Sequence, residues 1–291
     1  MLAALATDRP VAAEIVIGLV GRGIGSSLSP IMHEHEGQRL GLAYAYHLID
    51  LDRLGLPDAD LGAVIEVASA AGFSGLNITH PFKQAVVPLL DALAPEAAAI
   101  GAVNTVVLQG GGRTGHNTDC WGFAESFRRR LGAVPLDHVV LFGSGGAGVA
   151  VAQALLQLGV KRLEIVDPLR ERAQALADKL RRFGMDVVAT DTPEAAVMTA
   201  SGVVNATPVG MLKYPGTPFD PALLQAHQWV ADVVYFPRET ELITQARAMG
   251  CKVLPGGGMA VYQAVRAFEL FTGTSADGAA MAKTFEAAAV A

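Results

Sequence analysis

Cysteine is scarce in this sequence: Cys120 and Cys251 are the only two among 291 residues. Neither stands in a CxxC or Cys/His spacing, so no disulfide framework and no metal are expected, and the chain reads as cytoplasmic. Charge is thin as well. Charged residues make up 17% with a net charge of −6 and no basic run, so no nucleic-acid partner is expected. Long apolar runs are missing. No stretch reaches the roughly 20 residues of a membrane span. Ile15 to Val20, near Asp8 and Glu14, is too short for a signal segment with a cleavage site. No membrane partner is expected. What the chain does have is apolar residues, 51% of the total, more than a single core usually holds over this length. Two domains follow as the expectation.

Short β-like runs alternate with helix-period segments. Strands are expected at Ile15–Val20, Tyr44–Ile49, Gly75–Ile78, Val103–Leu108, Val139–Phe142, Arg162–Val166, Asp186–Ala189, Val203–Ala206, Val230–Val234 and Lys252–Leu254. Ser29-Pro30 reads as an N-cap followed by proline at N1, ahead of a helix over 31–40. Pro81 plays the same N1 part, which places Lys83 in a first helical turn. Such alternation means an α/β protein with mainly parallel sheets. A boundary falls near Asp119, where a helix over 120–131 leads into "HVVLFGSGGAGVAVAQALLQLG". Residues 1–119 then form a substrate-binding domain, completed by C-terminal helices within 259–291. Residues 120–258 form a Rossmann-type dinucleotide-binding domain, with a cleft between the two. Gly110–Gly112 reads as a hairpin turn.

"GSGGAG" supplies G-x-G-x-x-G at Gly143, Gly145 and Gly148. The pattern alone is weak, but here it follows an apolar strand and opens an alanine-rich helix, the context it requires. Such glycines permit a tight turn and let the backbone approach a pyrophosphate on the helix N-terminus. The next strand, "LEIVD", ends at Asp167, about 20 residues on, where a dinucleotide site keeps its acidic group. A carboxylate there accepts from ribose hydroxyls and repels a 2′-phosphate, so NAD is expected over NADP. Arg172, on the following helix, either approaches the cofactor or belongs to a solvated face.

Four polar clusters end predicted strands of the first domain: "SSLSP" (26–30), "NITHPFK" (77–83), "AVNT" (102–105) and "HNTD" (116–119). Ligands of open α/β sheets gather outside the carboxyl ends of strands. Each cluster alone is explicable as turn or cap chemistry. Together, with a single Lys and a single Asp, they suggest a polyhydroxylated small molecule.

With "GAVNTV", "NATPVGM", "DVVYFPRETELI" and "GGGMAVYQAVRAFELFTG" added in order, the chain resembles the shikimate/quinate dehydrogenase family along nearly its whole length. The resemblance implies that Ser27 and Ser29 bind a substrate carboxylate. Asn77, Thr79, Asn104 and Gln263 would take ring hydroxyls, with Tyr235 nearby, and Lys83 and Asp119 would form the catalytic pair. Gly145, Gly146, Ala147 and Gly148 would hold the pyrophosphate. Ala206, Thr207, Pro208 and Met211, with Val234 and Gly258, would line the adenosine and nicotinamide path. Three departures point to the NAD-using quinate/shikimate branch: Ser26 where shikimate-devoted members commonly have His, "VDP" where NADP-using members have "NRT", and "GGGMAVYQAV" in place of the "GLGMLVAQA" type. The implied activity is oxidation of quinate to 3-dehydroquinate and of shikimate to 3-dehydroshikimate, by a monomer or homodimer. The alternatives are an NADP-dependent shikimate dehydrogenase of aromatic amino-acid biosynthesis, or a non-catalytic ligand sensor on the same scaffold.

A lysine at a helix N-terminus opposes the macrodipole, which with burial would lower its pKa from about 10.4 toward a value useful for proton transfer. Asp119 would pull the other way and orient the amine. His33 and His35 share a predicted helix at a spacing that does not converge on one metal, and both read as exposed, with His47 also set aside. Cys120 reads as a small packing residue, and Met211 and Met259 as gap-fillers beside the nicotinamide.

Overall fold

The computed structural model describes residues 14–289; Asp8 lies outside them. The chain divides into two compact units. One combines the chain up to Thr118 with the chain from Gln263 on, and the other is Asp119–Tyr262. The changeovers fall inside two helices, Thr118–Arg130 and Gly257–Thr272.

The first unit is built on a mixed six-stranded sheet. Its strands are β1 (Ile15–Gly21), β2 (Tyr44–Asp50), β3 (Gly75–Ile78), β4 (Ala92–Leu93), β5 (Thr105–Gln109) and β6 (Gly112–His116), in the order β2-β1-β3-β5-β6-β4. β1 runs parallel to β2 and β3, whereas β5 is antiparallel to both β3 and β6. The reversal at β5–β6 has a local cause. Gly110 and Gly111 both have positive φ, 59° and 80°, and close a two-residue loop that side-chain-bearing residues adopt poorly. β1 lies between β2 and β3 and is nearly all buried, so it reads as a continuous apolar run. On one face Val16, Val20, Ile49, Leu76 and Ile78 pack with Val64 and Ile65 of the helix Leu61–Ala70. On the other, Ile17, Leu19 and Tyr46 meet Ala267 and Phe271. The helix Gly278–Ala288 packs on the helix Ser29–Arg39, and the Asp277 amide donates to Glu36 Oε1 at 2.7 Å.

The second unit carries an all-parallel sheet of β7 (His138–Phe142), β8 (Arg162–Val166), β9 (Asp186–Ala189), β10 (Gly202–Asn205), β11 (Trp229–Asp232) and β12 (Lys252–Leu254). The order β12-β11-β10-β7-β8-β9 reverses between β7 and β10. That is the doubly wound arrangement, with its switch point at the end of β7 where the glycine turn begins.

Two sequence expectations need correction. No α-helix starts at Pro81: residues 80–86 are successive turns leading into the short 3₁₀ segment Val87–Leu89, and the His80–Pro81 bond is cis. The Lys83 carbonyl accepts from the Val103 amide at 2.8 Å, so it is used outside any helical ladder. Pro88 then removes the next donor. The helix-dipole argument for Lys83 therefore falls. Ser29 is not an N-cap either. It is the first residue of its helix, Leu28 holds the cap position, and the Ser29 amide donates to Ser27 Oγ at 3.3 Å. β4 was unforeseen, because two residues show no periodicity. β5 begins at Thr105 rather than Val103.

Candidate active site

In the first unit the polar clusters join into one hydrogen-bonded group at the ends of β3, β5 and β6. Asn77 is buried at 6% exposure, and its Oδ1 accepts from Tyr46 Oη at 2.8 Å. Its Nδ2 donates to the Asn104 carbonyl and to Thr105 Oγ1. Asn104 Oδ1 accepts from the Thr118 amide at 2.8 Å and from Thr105 Oγ1, while its Nδ2 donates to Thr118 Oγ1. Asn117 Nδ2 donates to the Ala102 carbonyl. A buried amide without such partners would cost several kcal/mol, roughly 1–3 per unpaired group; here the network fixes both amides in one orientation.

Ser29 joins the group through a hydrogen bond to Tyr46, whose phenol is pushed far above its usual range by burial, with Ser29 acting in the opposite direction. Ser27 and Ser29 are half-buried on the loop that leads into the helix Ser29–Arg39. Asp50 holds that loop, since its carboxylate accepts from the Gly23 and Ile24 amides at 3.1 and 3.0 Å. Half-buried Thr79 follows β3, and its amide donates to the Val20 carbonyl. Lys83 and Gln263 are half-buried members of the same unit. Sequence reasoning missed Tyr46 and Asp50, and it placed Thr105 and Thr118 in the polar clusters without giving either a part of its own. Their signal was weak: Tyr46 sits in an alternating strand where an aromatic needs no functional explanation.

His33 is a further correction. It is fully buried, not exposed, with its ring 4.9 Å from that of Tyr46 and Nδ1 2.8 Å from the Tyr44 hydroxyl. Burial pushes its pKa down to about 3. A cavity of about 300 Å³ between the helices Ser29–Arg39 and Gly278–Ala288, lined by His35, Glu36, Arg39 and Met281 among others, contains none of the predicted site residues.

The second unit holds Asp119, Tyr235 and the predicted cofactor residues. Asp119 is 5% exposed in the first turn of the helix Thr118–Arg130. Tyr235 keeps 39% of its surface exposed, yet desolvation of its phenol raises its pKa, and the Asp119 carboxylate adds to the rise.

The three glycines of the turn have separate reasons. Gly143 has φ +97°, and a Cβ there would meet the Ala206 carbonyl at 2.8 Å. At Gly148 a Cβ would meet the Gly143 carbonyl at 2.1 Å, so this glycine permits close packing of helix on strand. Gly145 is different: a Cβ would meet nothing within 4 Å, and it caps the helix Gly146–Leu158 without a side-chain acceptor. Gly146 and Ala147 open that helix, and their uncapped amides suit the pyrophosphate of a dinucleotide. The residues present thus fit the group that the glycine pattern implies.

Asp167 follows β8. Its Oδ2 accepts from the Ser144 amide and hydroxyl, and its Oδ1 from the Leu169 amide. Burial opposes its charge, but the Ser144 hydroxyl, those two amides and Arg172 outweigh burial and hold its pKa below the usual carboxylate range. Arg172 itself is exposed.

At the end of β10, Asn205 organises the predicted nicotinamide loop. Its Oδ1 accepts from the Thr207 amide and hydroxyl, and its Nδ2 donates to the Val209 carbonyl and to Asp232 Oδ1. Asp232 also accepts from Thr240 Oγ1 and the Val234 amide, and burial raises its pKa to about 6 against these bonds. Ala206 and Val234 are buried, while Pro208 is exposed. Gly258 has a packing reason, because a Cβ would meet Ser126 Oγ at 2.1 Å. Met211 is 40% exposed and so fills no gap, whereas Met259 and Cys120 are buried. Among the described residues no group of three or more His, Cys, Asp or Glu could hold a metal ion, and no helix is long and apolar enough to cross a membrane.

Comparison with known proteins places the chain in a family. Residues 19–106 match the family described as "Shikimate dehydrogenase substrate binding domain", and residues 256–284 that described as "Shikimate 5'-dehydrogenase C-terminal domain". A shikimate dehydrogenase (NADP(+)) of Streptomyces avermitilis is 53% identical, over 91% of this chain and 93% of its own length. A quinate/shikimate dehydrogenase (NAD(+)) of Corynebacterium efficiens is 48% identical, over 93% of this chain and 97% of its own. The solved quinate dehydrogenase of Corynebacterium glutamicum in complex with NAD superposes with a TM-score of 0.89 at 48% identity, covering 94% of this chain and 99% of that one.

Proposed function

The chain belongs to the shikimate/quinate dehydrogenase family, and from that premise we propose that it oxidises quinate to 3-dehydroquinate and shikimate to 3-dehydroshikimate, using NAD in preference to NADP. The observation that carries the cofactor preference is the Asp167 carboxylate, held ionised by Ser144 and Leu169 directly after β8. A fixed anion there accepts from a ribose diol and repels a 2′-phosphate. When bound, a nicotinamide dinucleotide supplies the hydride acceptor for the carbinol carbon. Lys83 takes the hydroxyl proton, Asp119 orients the amine and the hydroxyl, and Tyr235 lies beside the acid. The amide network of Asn77 and Asn104 presents a rigid polar wall for ring hydroxyls, with Thr79 and Gln263 completing it.

The Streptomyces relative supports the competing NADP reading, and the 340 nm absorbance change separates the two. Purified protein tested on quinate and shikimate with each cofactor should show higher kcat/KM with NAD. Equal or better efficiency with NADP sinks the reading of Asp167, and no turnover on any pairing favours a sensor.

Ser27 and Ser29 would grip the substrate carboxylate by neutral hydrogen bonds, weaker than charge-assisted ones. Ser27→Ala should raise KM for quinate about tenfold while lowering kcat less, the pattern of lost ground-state binding. An unchanged KM counts against that role.

A further inference from the structure

Asp167 already carries three donors. The Ser144 amide and hydroxyl reach Oδ2 at 2.8 and 2.7 Å, and the Leu169 amide reaches Oδ1 at 2.9 Å. A carboxylate offers about four lone-pair sites. One acceptor site remains, on Oδ1, whereas a ribose brings two vicinal hydroxyls. Ser144 lies between Gly143 and Gly145, is 8% exposed, and commits both its amide and its hydroxyl proton to the acid.

We propose that Ser144 is the second half of the ribose site and a determinant of cofactor choice. Its one hydroxyl proton is given to Asp167, so toward a ligand its oxygen offers lone pairs alone. A ribose hydroxyl can donate to that oxygen while its neighbour donates to Asp167 Oδ1. A 2′-phosphate has no proton to give at neutral pH and meets only acceptors. The same bond holds the carboxylate plane in place, so ordering it costs little on binding. This inference rests on the reading of Asp167 as the ribose acceptor.

The test is calorimetric titration of the full chain with ADP-ribose and with its 2′-phosphorylated counterpart. Neither probe can turn over, so binding is read apart from activity. Ser144→Ala should weaken ADP-ribose about fivefold or more and leave the 2′-phosphorylated probe unchanged or tighter, consistent with loss of one hydrogen bond to a charged group. KM for NAD should rise in step with kcat unaffected. Ser144→Thr, which keeps the hydroxyl, should restore the discrimination. If Ser144→Ala does not fold, Ser144→Cys, with its weaker donor, serves in its place. Equal weakening of both probes would mean a merely structural turn residue, and no change would mean no role; either overturns the proposal. Asp167→Asn separates the two levels. If that substitution leaves discrimination intact, the Asp167 reading has failed. If it abolishes discrimination while the Ser144 variants are silent, only the assignment of Ser144 has failed.

Discussion

Replacing Lys83 with alanine should lower kcat roughly a hundredfold or more with little change in KM, a loss of about 2.7 kcal/mol of transition-state stabilisation. The reasoning concerns which contacts survive. Ser27, Ser29, Asn77, Thr79 and Asn104 are held by their own loops and strands, and the amide pair is fixed through Tyr46, Thr105 and Thr118. The Lys83 backbone also keeps its tie to Val103 in the variant, so the 80–86 turns should persist. Substrate binding should survive while proton transfer does not. Lys83→Arg sharpens the test, because a guanidinium keeps the positive charge but does not release a proton in the working range. Steady-state kinetics with quinate should find both variants similarly slow. Near-wild-type turnover in Lys83→Ala would remove Lys83 from catalysis, and full activity in Lys83→Arg would assign it a purely electrostatic part.

The sequence disclosed most where geometry is dictated residue by residue. The ranges Gly75–Ile78, Arg162–Val166, Asp186–Ala189 and Lys252–Leu254 were readable as strands to the residue, since β-branched runs bounded by turn formers leave few alternatives. The glycine turn was equally plain, because Gly143 and Gly148 answer to contacts that any side chain would violate. Legibility failed around Lys83 for a nonlocal reason. Proline at a predicted N1 position is good local evidence for a helix, but the Lys83 carbonyl is claimed by Val103, twenty residues on, and no local pattern announces that. His33 failed similarly. Its own helix is polar in composition, and only the tertiary arrangement brings Tyr44, Tyr46, Phe268 and Phe271 around the ring. The polar clusters were legible as a list but not as a network, because the Tyr46–Asn77 and Asn104–Thr118 bonds join residues 31 and 14 positions apart.

The buried histidine should make the substrate-binding unit sensitive to acid. Burial lowers the His33 pKa to about 3, against about 6.5 for an unfolded chain. The folded form therefore holds a neutral ring, and the unfolded form binds one more proton between those two values. Stability from this group is fully present above pH 6.5 and is lost as pH falls toward 3, at about 1.4 kcal/mol per unit. At pH 4.5 the loss should be about 2–3 kcal/mol. Carboxylates with lowered pKa, such as Asp167 and Asp277, lose stability in acid too, so the wild-type slope alone is not diagnostic. His33→Phe isolates the effect. Phenylalanine suits the aromatic surroundings, forfeits the 2.8 Å bond to the Tyr44 hydroxyl and removes the buried Nε2 that no neighbour satisfies; neither change varies over this pH range. Urea unfolding of both proteins at pH 7.5 and pH 4.5 should show the variant losing markedly less on acidification than the wild type. Equal losses in the two proteins would mean that His33 does not titrate between the folded and unfolded states, and that the neutral ring at the centre of this unit is not what limits its tolerance of acid.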